Sequence, residues 1–131
     1  MSLLLVDSSV WIQSFSKKPN VKHLDIIKAV IEAEVIATCD VVILEVLRGA
    51  RSEAEYKDLM DKFSAMRVFS VHGEHWELAS KMGHQLSRKG FNPPSTDLII
   101  AAVAIIEKCE LLHQDKDFKT MAKYFPLKCV E

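Results

Sequence analysis

The chain has 131 residues, 49% of them hydrophobic and 27% charged, with 17 basic against 18 acidic side chains and a formal net charge of -1. A chain of this size and balance forms one domain with a core of its own, which excludes a disordered segment and a miniprotein that needs disulfides or a structural metal to fold. The charge neither announces nor excludes a nucleic-acid partner, and the longest uncharged apolar run, residues 98–106, is about half the ~18 that suggest a membrane-spanning helix.

Residues 3–6, Leu-Leu-Leu-Val, read as a strand buried on both faces and closed by Asp7. Ser8 and Ser9 offer caps to a short helix through Val10, Trp11, Ile12 and Phe15, and Pro19-Asn20 breaks the chain. Residues 21–34 carry an apolar helical stripe of Val21, Leu24, Ile27, Ile31 and Val35. A short strand follows at 35–38, then a largely buried helix at 41–48 with Gly49 as its stop. Residues 52–65 predict a polar surface helix, 67–71 a strand, and 74–89 a helix ended by Gly90. After a rigid loop at 91–94, Ser95 or Thr96 caps an apolar helix reaching Ile106. Leu111 and Leu112 belong to a strand, residues 117–124 to a short helix, and 127–130 to a last strand. Alternating strands and helices predict an α/β domain with a parallel sheet flanked by helices, and no repeat or linker interrupts residues 1–131.

Several acidic residues sit where a plain core has no use for them. Asp7 follows the first strand, at the sheet end where open parallel sheets bind ligands, although it can equally cap the next helix. Glu45 lies within Val41-Val42-Ile43-Leu44-Glu45-Val46-Leu47. A carboxylate buried there needs a cation or an ion pair, with Arg48 and Arg51 as local partners for the second case. Asp97 opens an apolar helix and suits the positive end of its dipole. Asp115 and Asp117 follow a short strand and can also be caps. Converging on one sheet, these groups cannot all stay ionised without a cation, and an all-oxygen site suits magnesium or manganese. Such a site hydrolyses phosphodiesters.

In these fragments, Leu-Val-Asp7-Ser8-Ser9-Val-Trp-Ile, Glu45-Val-Leu-Arg48-Gly49, Thr96-Asp97-Leu-Ile-Ile-Ala-Ala and Leu-Leu-His-Gln-Asp115-Lys-Asp117-Phe118, the chain resembles the PIN-domain family. Within that family it is similar to the VapC-type toxins of bacterial and archaeal toxin–antitoxin systems, over essentially its whole length. The resemblance implies a single PIN-like domain, an α/β/α sandwich with a mostly parallel sheet of about five strands. It implies a magnesium- or manganese-dependent endoribonuclease acting on RNA, a homodimer, and inhibition by a small cognate antitoxin. By position it makes Asp7, Glu45, Asp97 and Asp115 the catalytic metal ligands, Asp117 an auxiliary one, and Ser9 a hydrogen-bonding partner within the site. His113 departs from the family, which commonly has Thr or Ser there. Two alternatives from other classes are a housekeeping RNA-processing nuclease and a catalytically silent binding module. A haloacid-type phosphatase expects a second Asp two residues after the first, where this chain has Ser9.

His72 and His75 have a zinc-like spacing but no third ligand nearby in sequence, which predicts surface histidines. Trp11, Phe15 and Trp76 read as core residues, with a second reading that places Trp11 and Phe15 in a groove for an antitoxin helix. Lys17, Lys18, Lys22, Arg48 and Arg51 are candidate phosphate contacts. Cys39, Cys109 and Cys129 form no CxxC pair, and the N-terminus has no basic region before its apolar run. The expectation is a cytoplasmic protein with reduced thiols and no membrane contact.

Overall fold

The computed structural model describes residues 2–130. Five parallel strands form one sheet in the order β3-β2-β1-β4-β5, with seven helices between them. The central strand β1 (Leu4–Val6) pairs with β2 (Ile36–Cys39) on one side and β4 (Glu110–Leu112) on the other. All seven residues of β1 and β2 are buried, as expected of strands covered on both faces. The edges are β3 (Arg67–Phe69) and β5 (Lys128–Val130), and their polar residues face water. Both edge strands are shorter than the alternating runs in the sequence suggest.

The helices are α1 (Ser8–Ser14), α2 (Val21–Glu32), α3 (Asp40–Leu47), α4 (Glu53–Ser64), α5 (Gly73–Arg88), α6 (Ser95–Ile106) and α7 (Lys116–Met121). Three of them stop in the same way. At α5, Gly90 takes φ 82°, its N–H donates to Ser87 O and the Phe91 N–H donates to Leu86 O, which is a Schellman motif. The ends of α2 and α6 repeat the pattern, but with Glu34 (φ 56°) and Lys108 (φ 57°) in the left-handed position. Gly49 does not serve in this way, because its φ is not in the left-handed region. Neither Ser95 nor Thr96 caps α6; that position belongs to Pro94, whose carbonyl accepts the Asp97 and Leu98 N–H groups.

Helices α5 and α6 make the most extensive helix contact. Gly83 permits it, since a Cβ there would lie 3.0 Å from Leu98 Cδ1. Residues Ile99 to Ala104 of α6 are all buried, so this helix forms the centre of one layer. Helix α3 is less buried than its apolar sequence predicts, with Leu44 65% exposed. Trp76 is 52% and Phe15 43% exposed, so neither belongs to the core, whereas Trp11 does and packs edge-on to Phe63 at 5.6 Å. Among the described residues the three cysteines form no disulfide, and burial pushes the Cys39 and Cys109 thiols up to about 11. Two of the three are therefore poor nucleophiles. Among the described residues, no helix is long and apolar enough to cross a membrane.

Candidate active site

The chain brings its acidic residues to one place by ending two neighbouring strands beside each other. Asp7 immediately follows β1, and Asp115 follows β4 after a two-residue loop. Each caps the next helix, as the sequence allows. One oxygen of Asp7, Oδ2, accepts the backbone N–H of Ser9 at 3.1 Å and also its hydroxyl. The other, Oδ1, is buried without any hydrogen-bond partner. Asp115 accepts the Asp117 N–H at 2.9 Å. Gln114 Nε2 donates to Ser9 O at 3.1 Å and ties the two loops together.

Asp97 enters on the first turn of α6. Oxygens of Asp97, Asp115 and Asp117 all lie within 4.8 Å of one another, a spacing that one cation can bridge. Glu45 is half-buried on α3, and its Oε1 accepts the Ser8 hydroxyl at 2.9 Å. Neither Arg48 nor Arg51 pairs with it, and among the described residues no lysine or arginine forms an ion pair with any of the five carboxylates. The role of Ser8 in holding Glu45 has no sequence signal beyond its place after Asp7.

The electrostatics register this crowding. Burial pushes the Asp97 carboxyl up to about 7, helped in order by the charges of Asp7, Asp115, Glu45 and Asp117. Burial likewise raises Asp7, which is 2% exposed, against the lowering effect of the Ser9 hydrogen bonds. A divalent cation would relieve both effects, and an oxygen-only donor set suits a hard ion.

His113 finds a structural role. Its Nδ1 accepts the Asp115 N–H at 3.2 Å, the two-residue reach that a Ser or Thr hydroxyl provides in an ST turn. The departure from the commoner residue therefore keeps the loop geometry.

The histidine pair on α5 corrects its sequence reading. His72 is exposed, but His75 is 0% exposed, and a third acidic group is present. Glu107 Oε1 lies 3.9 Å from His75 Nε2. His75 Nδ1 accepts the His72 N–H at 3.2 Å, which places the ring proton on Nε2, toward Glu107. Burial lowers the His75 pKa, so the ring is held neutral. At 3.9 Å Glu107 is too far for a hydrogen bond, so His75 Nε2 is buried without one, about 15 Å along α6 from Asp97.

Comparison with known proteins follows the same lines. VapC ribonuclease Mb1587 of Mycobacterium bovis is 25% identical over 124 residues, spanning 92% of each chain. Ribonuclease VapC18 of Mycobacterium tuberculosis is 29% identical over 121 residues, 89% of this chain and 85% of its own. Among solved structures, VapBC2 from Rickettsia felis, bound to a promoter DNA fragment, superposes with a TM-score of 0.79 at 17% identity, covering 98% of this chain and 97% of that one. VapC20 of Mycobacterium tuberculosis, a sarcin-ricin loop cleaving toxin, gives 0.68 at 16% identity over 95% and 98%. The PIN domain profile matches residues 4–124, from the first strand to just beyond the last helix, and the chain therefore belongs to the PIN-domain family.

Proposed function

We propose that this protein is a metal-dependent endoribonuclease that hydrolyses RNA phosphodiester bonds, and that it is the toxin of a toxin–antitoxin pair in the cytoplasm. The observation that carries the first part is the group of five carboxylates with no basic partner among the described residues, one of whose oxygens, Asp7 Oδ1, is buried and unbonded. Asp7, Glu45, Asp97 and Asp115 would hold magnesium or manganese, with Asp117 as an auxiliary ligand. A bound ion of this kind supplies positive charge to the scissile phosphate and makes water more acidic. The protein's own contribution is placement. Ser9 orients Asp7, Ser8 orients Glu45, and His113 with Gln114 sets the loop that presents Asp115. The relatives named ribonucleases support the activity.

Purified protein should cut RNA when magnesium or manganese is supplied and stop when it is chelated, and Asp97→Asn should abolish cleavage. Full activity in that variant would remove the site assignment.

The antitoxin part rests on a groove of about 660 Å³ whose apolar wall includes Trp11, Phe15, Ile31, Leu59, Phe63 and Met66. An amphipathic peptide helix suits such a groove. An arginine from the same peptide can make a bidentate pair with two of the carboxylates and silence the site. Solved neighbours such as VapBC2 are toxin–antitoxin complexes, which supports this partner class. A homodimer belongs to the same proposal, and the exposed Leu44 and Trp76 are available for contact between copies. Light scattering tests it. Expressed alone, the protein should arrest growth of its host, and Asp7→Ala should not. A cleaving enzyme that leaves growth untouched would favour a housekeeping nuclease.

A further inference from the structure

Next to the acidic cluster lies a cleft of opposite character, with a volume of about 460 Å³ and Asp115 on its wall. Its basic groups are Lys22 from the start of α2 and Lys116 and Lys119 from α7. The two on α7 are three residues apart and so share a helix face. None of these lysines forms an ion pair among the described residues. His23 also lines the cleft; it is 5% exposed, and its Nδ1 has no hydrogen-bond partner. Asn20 caps α2 there by accepting the His23 N–H at 3.1 Å, which brings the positive end of a twelve-residue helix to the rim.

Three unpaired cations and a helix N-terminus beside a carboxylate cluster form an arrangement with a direction. A polyanion centred on the cluster is repelled by it wherever no cation intervenes, so its neighbouring phosphates need positive ground close by. The cleft is within the ~300–1,000 Å³ range of small-molecule sites, which suits one nucleotide. Resting on the ribonuclease reading above, we propose that this cleft is a nucleotide subsite flanking the scissile bond. Lys22, Lys116 and Lys119 hold the adjacent phosphate, with His23 part of the lining around it. The strand then crosses the acids in one orientation, because this lysine-lined cleft sits on the Asp115 side of the cluster.

The test is binding of a short, fluorescein-labelled single-stranded RNA, followed by anisotropy in chelator so that nothing is cut. The variant is Lys22→Ala with Lys119→Ala. The control is Lys57→Ala with Lys81→Ala, which removes the same charge from exposed positions on α4 and α5. The cleft variant should bind about tenfold more weakly. Its slope of log affinity against log salt should be smaller by about 0.7–1.4, the loss of one or two phosphate contacts to a single strand. The control should change neither. Thermal stabilisation by manganese should be the same in wild type and cleft variant, which shows that the fold and the acidic site are intact. If wild type binds and cuts RNA while the cleft variant matches the control in affinity and slope, the subsite is wrong and the nuclease stands. If wild type neither binds nor cuts RNA with any divalent ion, the nuclease reading fails and the subsite with it.

Discussion

Asp97→Asn should make the ion-free protein more stable, by a margin that opens above about pH 4 and is complete above about pH 7. The Asp97 carboxyl titrates at about 7 in the folded state and near 3.8 when unfolded. The folded chain therefore holds an extra proton between those values, and stability falls as pH rises through that window, reaching its floor above about 7. The difference corresponds to roughly 4 kcal/mol if nothing screens the charge. Asp97 is only partly buried, so about 2–3 kcal/mol is the expected destabilisation by its ionised form. Asparagine has the same shape without the charge and should recover that amount. For a domain of this size the recovery corresponds to a melting temperature higher by about 5–10 °C. Near pH 5 the gap should be well below its full size, and it should close near pH 4, where the carboxyl is protonated in the folded chain and largely so in the unfolded one. The assay is thermal or urea unfolding in chelator across that pH range, repeated with manganese. The ion should reverse the order by stabilising wild type more than the variant. Equal stability at about pH 8 in chelator, or a gap as large at about pH 4 as at about pH 8, would refute the electrostatic account.

Glu45→Gln keeps an acceptor for the Ser8 hydroxyl, so it should change stability by less than about 1 kcal/mol while cutting RNA cleavage at least tenfold; a larger loss of stability that manganese cannot influence would instead indicate a buried ion pair. His75→Ala should cost roughly 2–4 kcal/mol in urea unfolding, from the cavity and from the His72 N–H left without its acceptor. The wild-type contribution of His75 is present above its unfolded value of 6.5 and is lost as pH falls below it, so the gap between the two proteins should narrow in acid. Lys108→Gly relieves a left-handed residue at the end of α6 and should raise stability by about 0.5–1 kcal/mol despite the added freedom of the unfolded chain, measurable as a higher urea midpoint.

The parts legible in the sequence are those governed by local pattern. The run Leu3-Leu4-Leu5-Val6 could only be a strand covered on both faces, and the 3.6-residue stripes gave most helices to within a few residues. Parallel topology brings strand ends together, so the acids that follow β1 and β4 were candidates for one pocket from the start. Exposure of single side chains was harder to read. Trp76 is apolar and lies on a helix, yet only the packing of α5 against α6 decides which way it faces. His75 looked like a surface residue because Glu107, its companion, is 32 positions away. Lys116 and Lys119 were passed over because two lysines on a short helix look like ordinary surface charge. Their meaning comes from Lys22 and His23, which reach the same cleft from α2.

The bond from Gln114 to Ser9 joins positions 105 apart, and the carboxylates on either side of it come from opposite ends of the chain. During synthesis, Asp7 is made well before Asp115 and waits for it. A nascent chain that stops before α7 lacks one wall of the acidic cluster and two of the three lysines beside it. Its first strand, meanwhile, still has an open side where β4 belongs. On the proposed reading, a nascent chain that has not yet reached α7 cannot cut RNA, whatever else of the fold has formed.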